Sequence, residues 1–278
     1  MSEDIRFISA GTLTLEGLAE LFTRSFEQYF YPGAVTAADL ARRVRVEQID
    51  LWRSPVLVVD GEPAGLALLG LRGTRAWCGG FGVVLARRGR GLSHRLTGAL
   101  IEYARAAGAE QLSLEVLTRN ERAIRAYSRA GFRTVRDLRI LEWRRPADAP
   151  PPDAPPAVEA APEVLLRSFG RLHPVRPAWQ RDLASLLVRD SLSGLALGPA
   201  HAPRAYALLQ AGADGSARLM DLGAESAGDA QELLAALQAR YTSLISVNEP
   251  TDAPATPAFD AAGFAEADRQ HEMVIYVN

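Results

Sequence analysis

Residues 146–162 read PADAPPPDAPPAVEAAP. Proline carries no backbone N–H and fixes φ, so a tract this rich in it neither continues a helix nor pairs in a sheet. A single hydrophobic core cannot run through such a segment, and 278 residues exceed the usual size of one domain, ~100–200 residues. The expectation is two domains, residues 1–145 and 163–278, joined by a Pro/Ala-rich linker over 146–162 that acts as a semi-rigid spacer.

Hydrophobic residues make up 48% of the chain, enough for real cores. No stretch approaches the ~18 uninterrupted apolar residues of a membrane span, and the start, MSEDIRFISAG, lacks the basic and apolar regions of a signal peptide. The expected location is cytoplasmic, with no membrane partner. The single cysteine, Cys78, excludes an internal disulfide framework, and His94, His173, His201 and His271 are too scattered for metal-ligand spacing, so no metal is expected. All 31 basic residues are arginine, which rules out acylation of the chain's own lysines. Residues 1–145 hold 22 Arg against 16 acids and residues 146–278 hold 9 against 17, net +6 and −8. A basic first half suits a phosphate-bearing ligand and is equally explained by ordinary surface solvation. The acidic second half argues against a nucleic-acid partner.

Periodicity in the first half alternates between strand and helix. Ile5 to Ser9 reads as a strand, and Thr14 to Tyr29 as a helix with Leu15, Leu18, Leu21, Phe22 and Phe26 on one face. Thr36 is a good N-cap for a second helix running to about Asp50. Two strands flank an Asp60-Gly61 turn, and RAWCGGFGVV gives a third. A helix follows from about Leu92 to Ala107, then a strand from Gln111 to Leu117, a helix from Glu121 to Arg129, and a pair of strands from Phe132 to Trp143. The fold class is α/β with a mixed sheet.

Residues 87–93, RRGRGLS, join an apolar strand to an amphipathic helix. Glycines there let backbone N–H groups approach a ligand, and the helix N-terminus adds unpaired donors, so the site suits a pyrophosphate. A dinucleotide fingerprint fails because the position of its third glycine is His94, and a Walker loop fails for want of lysine.

With these residues the chain resembles the GNAT superfamily of acyl-CoA-dependent N-acyltransferases. The family signature [QR]xxGx[GA] aligns with Arg88, Gly89, Arg90, Gly91, Leu92 and Ser93, after a strand ending in Val83. Serine at 93 departs from the usual glycine or alanine. A second motif, LEVLTRNERAIRAYSRAGF from Leu114 to Phe132, is similar to the family's strand, asparagine, helix, tyrosine and GF turn in the same order.

The resemblance implies direct attack of a neutral amine on the thioester of acetyl-CoA, used as co-substrate. Tyr127 would be the general acid for the leaving sulfur, since a phenol of pKa about 10 stays protonated at neutral pH. Glu115 would be the general base, directly or through water, by a spacing similar to that in bacterial ribosomal-protein N-terminal acetyltransferases; a structural or acceptor-positioning glutamate is the alternative. Asp50, Tyr29 and Tyr31 are back-up candidates near the acceptor. A backbone amide at Phe81, Gly82 or Val83 would polarise the carbonyl, GGFG suiting a close approach or marking only a bulge. Asn120 would contact the pantetheine arm or cap the next helix, and the cofactor loop extends through His94 into the helix. The charges of Arg88 and Arg90 would assist the phosphates, and Cys78 reads as a packed strand residue rather than a nucleophile.

Residues 163–278 echo the first half. ISVNEPTDAPATPAFDAAGF, from Ile245 to Phe264, repeats the strand, Asn-Glu pair, helix and GF turn, but Phe259 stands where Tyr127 stood, four residues before the turn glycine. Where RRGRGLS is expected, Leu222 to Asp229 reads LGAESAGD and puts Glu225 and Asp229 near the helix start. The expected architecture is tandem GNAT-like folds, the second degenerate and without a CoA site, with an unrelated α+β domain as the alternative. The expected partner is a small-molecule or peptide amine, and the chain is expected as a monomer with a pseudo-dimeric domain pair. The alternative function is a non-catalytic acyl-CoA-binding or sensing protein.

Overall fold

A computed structural model describes residues 3–31, 33–151, 153 and 155–277. The chain divides into two compact units, Met1–Val135 with Glu272–Asn278, and Arg136–His271.

The first unit opens with β1 (Ile5–Ser9), α1 (Leu15–Ser25) and α2 (Ala37–Glu47). Thr14 caps α1 through Gly17 N–H, and Thr36 with Asp39 forms a reciprocal capping box on α2. The expected first helix is longer than the observed one. It ends at Ser25 because the chain turns back from Phe26 to Tyr29, with Gln28 at φ 58°, so that the Phe26 and Tyr29 rings meet edge-on. Next come β2 (Pro55–Val59), β3 (Glu62–Arg72) and β4 (Arg75–Val83) as an antiparallel meander. Asp60 and Gly61 both take positive φ, as the tight hairpin turn between β2 and β3 requires. Then α3 (Leu92–Ala106), β5 (Gln111–Leu117) and α4 (Glu121–Arg129) lead into β6 (Arg133–Arg144).

The second unit contains β7 (Val158–Ala160), the short helices α5 (Pro162–Leu165), α6 (Phe169–Leu172) and α7 (Leu183–Leu186), then β8 (Ser193–Leu197), β9 (Ala205–Ala211) and β10 (Ser216–Ala224). It continues through α8 (Ala227–Arg240), β11 (Ser243–Pro250), α9 (Thr256–Ala261) and β12 (Ala265–Tyr276). The strand run of the first unit, antiparallel β2-β3-β4 followed by parallel β5, recurs as antiparallel β8-β9-β10 followed by parallel β11. Both units are mixed α/β folds of the same plan.

Three boundary expectations differ from the structure. Residues 132–143 form one long strand, not two, and most of it belongs to the second unit, where Leu138 to Arg144 pair with β11. The end of β12 belongs to the first unit, where Val277 N–H donates to the Glu110 carbonyl, and Met273 and Val277 enter the core with Leu96, Leu100 and Leu112. The division at 145 and 163 therefore shifts to 135/136 and 271/272. Proline content marks where a chain lacks regular structure, but not which partner a neighbouring strand will choose. Within the Pro/Ala tract, Val158 to Ala160 pair with β8, since the stretch from Ala157 to Ala161 has no proline to remove a ladder donor. Pro152 and Ala154 of that tract lie outside the described residues.

Candidate active site

The loop after β4 makes one short 3-10 turn at Leu85–Arg87 and reaches α3 through Gly89 at φ 81° and Gly91 at φ 78°. Those left-handed values suit glycine alone. Gly91 caps α3 without any side-chain hydrogen bond. Among the described residues no protein acceptor takes the backbone N–H of Gly89, Arg90, Gly91, Leu92 or Ser93, and a Cβ at either glycine would meet nothing within 4 Å. The result is an open cradle of donors at a helix N-terminus, and His94 stands exposed in its first turn. These residues fit a pyrophosphate.

The two arginines of the motif have separate destinations. Arg88 turns inward: its Nε donates to the Val83 carbonyl at 2.9 Å, and its Nη2 to the carbonyls of Ser25 at 3.0 Å and Glu27 at 2.9 Å. It ties the end of α1 to the end of β4 rather than offering its charge to a phosphate. Arg90 remains at the surface, paired with Glu3 at 2.7 Å. The backbone of the motif is available, and its charges are already engaged.

β4 and β5 pair in parallel only from Arg75↔Gln111 to Trp77↔Ser113 and then diverge. Beyond that point β4 keeps β3 on one edge and leaves the other open. Val84 N–H donates to the Ala64 carbonyl of the β3 side, and N–H directions alternate along a strand, so Gly82 and Gly80 also face β3 while Phe81 and Val83 face the open edge. With the Val83 carbonyl held by Arg88, the Phe81 amide and the Val83 N–H are left at that edge.

The glycines of GGFG serve packing rather than ligand approach. Gly79 is the extra residue of a β-bulge, since Leu69 pairs with Cys78 and Leu68 with Gly80. A Cβ on Gly80 would fall 2.7 Å from the Phe22 ring, and one on Gly82 would fall 2.6 Å from the Ser25 carbonyl oxygen. Glycine lets α1 lie directly on the strand.

Tyr127 in α4 is buried, and its ring meets Phe81 edge-on at 5.7 Å and Phe132 at 5.7 Å. Burial, with smaller contributions from Cys78 and Tyr29, pushes its phenol well above the ordinary value of 10. No described residue donates to or accepts from its hydroxyl. Cys78 is a buried thiol pushed up to about 12 by burial and further raised by Glu115, so it stays protonated at neutral pH and is no nucleophile.

Glu115 is half-buried on β5 and accepts the Trp77 indole N–H at 2.8 Å. Sequence reasoning did not find that partner, because the indole lies on a different strand, 38 residues away. Asn120 caps α4 through Ala123 N–H. Asp50 is occupied as a cap: its carboxylate accepts Trp52 N–H, Arg53 N–H and the Arg53 guanidinium. Tyr31 and Phe30 flank the Arg119 guanidinium, whose central carbon lies 5.5 and 4.6 Å from the two rings.

At the corresponding place in the second unit, β10 and β11 pair in parallel from Ser216↔Ser243 to Leu219↔Ser246 and no further. From that point on, Arg181 donates to the hydroxyl of the last paired residue, Ser246, at 2.8 Å and to the Val247 carbonyl at 3.2 Å, and pairs with Glu249 at 2.5 Å. On β10, Asp221 accepts from Tyr206 at 2.7 Å and contacts His173 at 3.1 Å. Phe259, fully buried, meets Phe264 edge-on at 5.1 Å, where Tyr127 meets Phe132 at a tilt. Only Glu225 and Ser226 separate β10 from α8, whose start is capped by the Ser226 hydroxyl and carries Asp229. A cavity of about 440 Å³ in this unit, between Pro162, Gly194, Arg240 and Tyr241, brings no convergent chemistry.

A mycothiol acetyltransferase from Beutenbergia cavernae is 34% identical over 122 residues, 41% of this chain and 40% of that protein, so the match spans less than half of the relative. The solved GCN5-related N-acetyltransferase from Sphaerobacter thermophilus superposes with a TM-score of 0.70 at 18% identity, covering 99% of this chain and 96% of that one. A tandem GNAT protein from the clavulanic acid biosynthesis pathway superposes with a TM-score of 0.70 at 15% identity, covering 99% of both chains. Likeness at that level of identity is a likeness of fold. Residues 15–132, from the start of α1 to the turn after α4, match the Acetyltransferase (GNAT) family, and the chain has the fold of two GNAT-like domains in tandem.

Proposed function

We propose that the first unit transfers an acetyl or related acyl group from acetyl-CoA to a primary amine by direct attack. The observation that carries this reading is the hydroxyl of buried Tyr127, which no described residue bonds, beside the open edge of β4. Bound acetyl-CoA supplies the thioester whose carbonyl carbon bonds to the amine as the C–S bond breaks. The N–H groups of Gly89 to Ser93 hold the pyrophosphate, and the open edge at Phe81 and Val83 holds the arm and polarises the carbonyl. Glu115 takes a proton from the amine, directly or through water, so that nitrogen has a lone pair to donate. Tyr127 gives its proton to the departing sulfur. Its raised pKa keeps the phenol protonated at neutral pH.

The second unit is read as a degenerate copy that binds no CoA. Phe259 has no phenolic proton, and the α8 start is capped and carries carboxylates where a phosphate would need bare donors. Arg181 engages β11 at and just past the point where its pairing with β10 ends. Free-thiol release from acetyl-CoA tests the activity, with a panel of amino acids, polyamines, aminoglycosides, peptide N-termini and the acceptor of the mycothiol acetyltransferase relative. Turnover with one class supports the enzyme. Binding without turnover on any amine would instead make the unit an acyl-CoA sensor, and calorimetry finding two equivalent CoA sites per chain would overturn the degenerate-copy reading.

A further inference from the structure

Arg43, on α2, has no place in the chemistry described so far, yet it reaches the point where β4 leaves β5. Its Nη2 donates to the carbonyl of Gly79, the bulged residue two positions past the last β4–β5 pair at Trp77. Its Nε is braced by Glu47 at 2.8 Å, and its guanidinium lies 5.3 Å from the Phe22 ring, the same ring that packs on Gly80. A trans peptide points its C=O and N–H in opposite directions. Because Gly80 N–H faces β3, the Gly79 carbonyl faces the open edge, and Arg43 takes up an acceptor that β5 would have bonded had the strands stayed paired.

Two arginines therefore bracket the open edge of β4, Arg43 at its apex and Arg88 at its mouth, each holding a carbonyl and leaving the Phe81 amide and the Val83 N–H between them. We propose that Arg43 is a positioning residue for acyl transfer: by anchoring the Gly79 carbonyl it fixes the bulge that aims the open-edge amides at the thioester oxygen. This inference rests on the acyl-CoA reading of the first unit.

The test uses the full chain and acetyl-CoA labelled with ¹³C at the thioester carbonyl, so that no acceptor need be known. A polarised carbonyl absorbs at lower infrared frequency, and the isotope label isolates that band. Arg43→Met should still bind, with a ligand-induced rise in melting temperature close to that of the parent, but its bound carbonyl band should move to higher frequency. Arg43→Lys, which keeps a cation but not the planar fork, should fall between the two and covers the case in which the methionine variant fails to fold. Once an acceptor is found, kcat should drop roughly tenfold or more in Arg43→Met while KM for acetyl-CoA changes less than about threefold. An unchanged band in a folded variant overturns the role of Arg43 and leaves the acyl-CoA reading intact. Absence of acetyl-CoA binding by the unsubstituted chain overturns both.

Discussion

Gly91→Glu separates the cradle's conformation from its ligand. Gly91 sits at φ 78° with open space where a Cβ would go, so a side chain there is strained but meets no clash. The strain for a non-glycine residue in the left-handed region is about 1 kcal/mol, which Gly91→Ala measures by itself. A glutamate at this position would recover part of that loss, about 0.3–1 kcal/mol, by facing the positive end of α3. Without ligand, the two variants should therefore melt within a few degrees of each other and of the parent. With CoA or acetyl-CoA at about a hundredfold excess over its dissociation constant, the parent should gain about 2.7 kcal/mol. At about 3 °C per kcal/mol for a unit of this size, the rise is roughly 8 °C by thermal denaturation. Gly91→Ala should keep most of that rise, because the N–H groups of Gly89 to Ser93 are still present. Gly91→Glu should lose it, because a carboxylate then occupies the anion's place. A full ligand-induced rise in Gly91→Glu would refute the assignment of the pyrophosphate to this loop.

Tyr127→Phe keeps the ring contacts with Phe81 and Phe132 and removes a hydroxyl that no described residue bonds, so melting temperature and the CoA-induced rise should hardly move while turnover falls roughly tenfold or more; unaffected turnover would make Tyr127 a packing residue. Glu115→Gln retains an acceptor for the Trp77 N–H and should lower turnover mainly at low pH, where the amine is hardest to deprotonate, whereas a uniform loss across a pH–rate profile indicates positioning. In the second unit, burial lowers the His173 pKa, but the charge and hydrogen bond of Asp221 and the Phe169 carbonyl outweigh it, leaving a net rise against the opposing Arg181. A raised folded pKa gives stability that is complete below about 6.5 and is lost as pH climbs through the folded value. Denaturant unfolding should therefore show stability declining as pH rises above about 6.5, and His173→Gln should flatten that decline; equal slopes would exclude the pair as its source.

The sequence by itself determined those features that contiguous residues decide. A strand, two glycines and a helix within a few positions set the donor cradle at 88–93, because left-handed φ and an uncapped helix start are local properties. The order of β5, Asn120, α4, Tyr127 and the Gly131 turn was legible for the same reason, as was its echo ending in Phe259 and Gly263. Tertiary structure decided which distant groups meet. Arg88 and Arg90 look alike as letters, yet one folds inward onto three carbonyls and the other stays at the surface with Glu3. Trp77 on Glu115, Arg43 on Gly79 and Phe22 on Gly80 all join separate elements, so no periodicity announces them. The same holds for Arg181 on β11 and for the strand ends at 136–144 and 272–277, whose pairing partners lie about a hundred or more residues away in sequence. Hydrophobic alternation specifies that a segment is a strand with a buried face, but its edge bonds any chain of matching length. Which chain fills that edge, and where the edge is left open for a ligand, is settled only when the elements pack.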